Sequence, residues 1–203
     1  MTDSDKKHSF REEFEAHLES PIPILTRLRN LIFGKESPDT YTQIGFYLGI
    51  MIWTIFLVWI ILGYVALTNT DWIEQEKGLD VHSLIRERGI ALGFSGDEFQ
   101  DKLILFYNVA LVAWSGLFIG LVLQWRKQAS FIYFIWGSGG LYLLAMWFLL
   151  GFTYWYQDTT TFDKIAFFLL IGHSSLYYYF LNRELRGEKT NFFGIEEEDD
   201  ESN

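Results

Sequence analysis

Four stretches of this chain, residues 44–67, 103–125, 130–156 and 164–182, are long, apolar and almost free of Asp, Glu, Lys and Arg. No other feature limits the fold so tightly. A helix needs about 20 apolar residues to cross roughly 30 Å of hydrocarbon. A loop or open strand there would leave backbone N–H and C=O groups with neither water nor a partner. The pattern therefore predicts an all-α membrane protein, a four-transmembrane-helix bundle. The fourth stretch is the weakest. It has 17 uncharged residues from Ile165 to Leu181, among them His173, Ser174 and Ser175, so it needs three packed neighbours to make a span.

The spans divide the 203 residues into a segment 1–43, a membrane domain 44–182 and an acidic tail 183–203. In the first segment Ile24, Leu25, Leu28, Leu31 and Ile32 share one side of a helical pattern, with Arg27, Arg29 and Asn30 on the other. Such an amphipathic helix can lie in the headgroup region with its cations toward anionic lipid. Between the first two spans, residues 68–102 form a short external loop. Val81, Leu84, Ile85 and Ile90 predict a helix there that ends at Gly93, and Ser95-Gly96-Asp97-Glu98 reads as the cap of the second membrane helix. The tail, with Glu196, Glu197, Glu198, Asp199, Asp200 and Glu201 in succession, reads as disordered and solubilising.

Lys and Arg set the expected orientation. Arg27, Arg29, Lys35, Arg126, Lys127, Arg183, Arg186 and Lys189 lie close to the membrane on one side. On the other, Lys77, Arg86, Arg88, Lys102 and Lys164 are outnumbered by acids. Both termini are therefore expected in the cytoplasm, with the protein multi-pass in the plasma membrane. The first forty residues are too rich in charge for a cleavable signal peptide. Aromatic residues are 19% of the chain, and Trp53, Trp59, Trp125, Trp147 and Trp155 are expected as interfacial anchors.

Composition closes several routes to function. With no cysteine there is no disulfide, thiolate nucleophile or cysteine-ligated metal. A net charge of −10 argues against nucleic acid as a partner. Helix packing in lipid relies on small residues, and these abound: Gly45 and Gly49 in the first span, Gly116 and Gly120 in the second, Gly137, Gly139 and Gly140 in the third, Gly172 in the fourth. All are expected at helix contacts.

Four polar residues lie at depth. Asn108 and Ser115 are seven residues apart, so they share a face, and with Ser138 and His173 they are expected to form one inward layer. His173 is the ionisable side chain well inside a span, which makes it the default functional candidate. Its plainer role is a hydrogen bond to Ser115, Ser138 or a carbonyl that holds the bundle. A lone histidine with no carboxylate at its depth argues against a metal, and the usual pair of axial ligands for haem is missing. No cofactor is expected. The run Trp136-Gly137-Ser138-Gly139, with His173 on a later helix, resembles the nucleophile and base of the rhomboid intramembrane proteases. The match covers four residues and one histidine. Trp136 stands where that family has glycine, and its six-helix core is absent, so the resemblance is taken as coincidence.

The expectation is thus a non-enzymatic accessory or regulatory subunit that acts through helix–helix contacts. Its partners would be the lipid bilayer and other membrane subunits, or a second copy of itself. A self-associating channel or membrane-permeabilising protein, in stress or defence, is the second expectation. An intramembrane enzyme or cofactor carrier centred on His173 is the third.

Overall fold

A computed structural model describes residues 30, 32–34 and 38–185. The amphipathic pattern of residues 24–32 and the acidic tail fall almost wholly outside the described residues. Between 38 and 185 the chain is helical and contains no strand. The helices are α1 (Thr40–Thr68), α2 (Thr70–Lys77), α3 (Val81–Ala91), α4 (Glu98–Trp125), α5 (Phe131–Leu149), α6 (Gly151–Gln157) and α7 (Thr161–Leu185). Four of them, α1, α4, α5 and α7, are long and apolar enough to cross a membrane. Their outer surfaces are apolar too: Phe148 is 83% exposed and Tyr133 73%. Patches of that extent are unfavourable in water and ordinary in lipid.

Around the bundle α1 lies beside α4, α4 beside α5, α5 beside α7, and α7 returns to α1. One end carries the start of α1 and the α4–α5 turn, and is called here the Asp39 end. The opposite end carries α2, α3 and α6, and is called the connector end.

Helix α1 begins at Asp39, whose carboxylate accepts the Thr42 N–H at 3.0 Å and the Thr42 hydroxyl at 2.7 Å. This cap satisfies one of the N–H groups that the first turn leaves without a partner. The α4–α5 turn brings a cation to the same carboxylate: Lys127 has φ 54°, and its Nζ lies 2.8 Å from Asp39 Oδ2. Burial works against ionisation of Asp39, but the Lys127 ammonium and the Thr42 hydrogen bonds outweigh it and hold the carboxyl at about 2.

The centre of the bundle is aromatic. Phe56 of α1 lies 5.1 Å from Trp114 of α4, Trp114 lies 4.8 Å from Tyr142 of α5, and Tyr142 lies 6.0 Å from Phe167 of α7. One chain of ring contacts thus touches all four long helices, at the separations aromatic pairs favour. Trp53 departs from its expected place at an interface. Its indole N–H donates to the Trp114 carbonyl at 2.8 Å, and the Trp114 indole donates back to the Trp53 carbonyl at 3.1 Å. This reciprocal clasp satisfies both indoles inside the α1–α4 contact.

The third span also differs from expectation. Instead of one helix over 130–156, α5 stops at Leu149 and α6 starts at Gly151, which has φ +85°. That left-handed conformation suits glycine and ends the α-helical ladder. Apolar residues on both sides of the break conceal it in the sequence.

At the connector end, the Arg88 guanidinium grips Asp158 with Nε to Oδ1 at 3.0 Å and Nη2 to Oδ2 at 2.9 Å. This bidentate pair ties α3 to the end of α6. His82 of α3 joins two more elements, α2 and α4. Its Nε2 lies 2.8 Å from Thr70 Oγ1 and 3.2 Å from Asp71 Oδ1, and its Nδ1 lies 3.1 Å from Gln100 Oε1.

Candidate functional site

The expected polar layer is divided by the structure. Asn108 and Ser115 share a face, but that face points outward, and both residues are exposed. Each is bonded to its own helix, Asn108 Nδ2 to the Ile104 carbonyl and Ser115 Oγ to the Leu111 carbonyl, both at 2.8 Å. Ser138 is buried at the α4–α5 contact, where its Oγ lies 2.5 Å from the position a Gly116 Cβ would take. His173 is half-buried at a different contact, between α7 and α1. Among the described residues no hydrogen bond joins Ser115 or Ser138 to His173. The resemblance to a serine–histidine pair therefore does not assemble a nucleophile and its base, which such chemistry needs within hydrogen-bond reach.

His173 rests instead on Gly45. A Cβ at position 45 would collide with its Cε1 and lie 3.0 Å from its Nε2. The Tyr41 ring lies 5.8 Å away, and Tyr41 in turn lies 5.8 Å from Tyr177. The Tyr177 hydroxyl is within 2.8 Å of Thr42 Oγ1, the same hydroxyl that donates to Asp39. One turn of α1 thus links the cap, a buried tyrosine and the histidine.

The same glycine admits a residue that the sequence reading passed over. Gln124 Nε2 would lie 3.2 Å from a Gly45 Cβ. The Gln124 side chain is fully buried, and neither its Oε1 nor its Nε2 has a hydrogen-bond partner. Whichever way the amide is turned, a donor and an acceptor are both unmet. An unmet buried polar group costs about 1–3 kcal/mol, so a native chain rarely keeps one without a reason. The Gln124 amide and the His173 imidazole both crowd the face of Gly45, which has room for neither a side chain of its own nor a larger neighbour. Among the described residues no group of three His, Asp or Glu side chains converges as a metal centre requires.

Of the eight glycines expected at helix contacts, five are there. Gly45 meets His173 and Gln124, Gly49 meets Leu121, Gly116 meets Ser138, Gly120 meets Ile135, and Gly139 meets Ile171 and Phe167. Gly137, Gly140 and Gly172 have nothing within 4 Å of an added Cβ. Gly63, not singled out from the sequence, receives the Tyr107 hydroxyl, which would lie 2.5 Å from its Cβ.

Compared with protein-family models, with curated proteins and with solved structures, the chain finds no match in any of the three.

Proposed function

We propose that this protein is a small, non-enzymatic membrane subunit that works by docking one helix face, that of α4, against a transmembrane helix of another subunit. The observation that carries this reading is a seam along α4. Leu105, Asn108, Val112, Ser115 and Ile119 all face outward, at alternating steps of three and four residues. That spacing keeps a stripe facing a partner helix at a shallow left-handed crossing. An amide and a hydroxyl at the centre of an otherwise lipid-facing stripe are poorly solvated by hydrocarbon. Asn108 meets only part of its hydrogen-bonding capacity within its own turn. A neighbouring transmembrane helix supplies the rest, and small polar groups also let two backbones approach.

The reading includes a plasma-membrane location with the Asp39 end in the cytoplasm. It is supported by Arg126, Lys127 and Arg183 near that end and by the acidic excess of the connector.

The absence of cysteine makes a direct test simple. Val112→Cys, the sole thiol in the chain, labelled with benzophenone maleimide, is expected to photo-crosslink by C–H insertion to a partner in native membranes. Asn108→Leu with Ser115→Leu is expected to reduce co-purification of that partner at least tenfold while the protein stays folded and membrane-inserted. Unchanged co-purification in the double variant defeats the proposal. An adduct of twice the chain's own mass would make the partner a second copy.

A further inference from the structure

The connector half of the bundle holds a cavity of about 620 Å³. Helices α1 and α7 touch near the Asp39 end, through Thr42 with Tyr177 and Gly45 with His173. At the other end, residues of α1 between Phe56 and Gly63, and Phe162 and Asp163 of α7, line the cavity, together with residues of α4, α5 and α6. Its size falls within the range of small-molecule sites. Trp59, Leu62 and Phe162 line it and are also exposed on the outer surface. The cavity is therefore accessible from the side, between two apolar helices, and not only along the bundle axis.

Its chemistry is unusual for a lipid-facing groove. Tyr107, Tyr142 and Tyr154 add three phenol rings to the walls formed by Trp59 and Phe162. Two carboxylates also line it, Asp158 and Asp163. Asp158 is neutralised, since both its oxygens are held by Arg88. Asp163 has no cation. Its Oδ2 accepts the Thr160 N–H at 3.0 Å and the Thr160 hydroxyl at 2.8 Å, and no Lys or Arg among the described residues forms an ion pair with it. Neighbouring Lys164 is turned away, with Nζ donating to the Tyr156 carbonyl and lying over the Trp155 ring. The walls thus combine several π faces with one uncompensated negative charge.

We infer that this cavity binds an amphiphilic organic cation, a tertiary or quaternary ammonium bearing an apolar chain, which enters laterally between α1 and α7. Aromatic faces attract a weakly hydrated alkylammonium through their quadrupoles, and desolvation strengthens that attraction. Asp163 supplies the counter-charge. The chain of the ligand lies past Trp59 and Leu62 toward the lipid. A neutral apolar ligand would gain nothing from Asp163, and an anionic one would be repelled by it. This site lies on other faces than the α4 seam, so the two proposals stand or fall separately.

The test is isothermal calorimetry with octyltrimethylammonium on the full chain in zwitterionic nanodiscs, subtracting the heat of loaded empty discs. Saturable binding of one ligand per chain is expected. Asp163→Asn keeps an acceptor for the Thr160 N–H and is expected to weaken binding at least tenfold. Trp59→Ala, at an exposed position, is expected to weaken it about three- to tenfold. Asp101→Asn, an exposed carboxylate away from the cavity, should leave it unchanged. The uncharged isostere 2,2-dimethyldecane should displace the cation poorly. Heats equal to those of empty discs, an unaffected Asp163→Asn variant, or displacement by the isostere as effective as by the cation itself would each overturn the inference.

Discussion

A leucine at position 45 would have to displace both the half-buried His173 ring and the fully buried Gln124 amide. Gly45→Leu is expected to lower stability by about 1–3 kcal/mol, read as a shift in the unfolding midpoint in detergent. His173→Ala in the same chain should restore part of the loss. Gly137→Leu is the control, since nothing lies within 4 Å of the added carbon; its effect on the isolated protein should stay within about 0.5 kcal/mol. Gln124 offers the opposite test. Replacing its unmet amide by the similarly sized Gln124→Leu is expected to stabilise the isolated protein by about 1–2 kcal/mol. A loss of stability would instead show that the amide makes interactions in the folded protein that a leucine cannot replace. These contrasts also show why the glycines were only partly legible. In lipid the inside and outside of a helix are equally apolar, so spacing reveals which residues share a face but not which way it points. Asn108 and Ser115 were correctly paired and wrongly turned for that reason. Gln124 gave no signal at all, because a polar residue one place before Trp125 and two before Arg126 looks like the end of a span.

The elements at the connector end respond to pH through His82. Its hydrogen bond to Asp71 raises its pKa, against a small opposing effect of burial and with help from Gln100 and the nearby charges of Asp71 and Glu74. Because the folded value lies above the ordinary 6.5, the protonated imidazolium favours the clipped arrangement. That stabilisation is complete below the unfolded value and disappears as pH rises through the raised one. Hydrogen-exchange protection in α2 and α3, corrected for the intrinsic base-catalysed rate, should therefore fall from mildly acidic to mildly alkaline pH, while that of α4 and α5 holds steady. Asp71→Asn should remove most of the dependence, and corrected protection that is flat with pH in the unmodified protein would refute it. The four spans were legible because length and the exclusion of charge suffice to find them. The short helix α2 was not, since Thr70–Lys77 has only Trp72 and Ile73 among polar residues and owes its place to partners elsewhere: Thr70 and Asp71 to His82 on α3, and His82 to Gln100 on α4.

For the molecule as a whole, the aromatic chain from Phe56 to Phe167 explains how a bundle with little hydrophobic drive between its helices holds together: its ring contacts pack more densely than acyl chains do, and the Trp53–Trp114 clasp adds hydrogen bonds that hydrocarbon cannot offer. It also divides the labour between the two ends. The Asp39 end is closed by glycine contacts, an ion pair and the buried tyrosine, while the connector end opens into the cavity. The break at Gly151 sets the scale of the whole. By its 19 residues α5 is about 28 Å long, whereas the 29 residues of α1 reach about 43 Å. The short helix matches a bilayer core nearly upright; the long one is accommodated by leaning, which keeps its excess apolar residues out of water. A thicker membrane is expected to favour a more upright α1 and to stretch the short α5 and α6 at their Gly151 break, so bilayer thickness, set by acyl-chain length and sterol content, is the variable to vary when the cavity's affinity is measured.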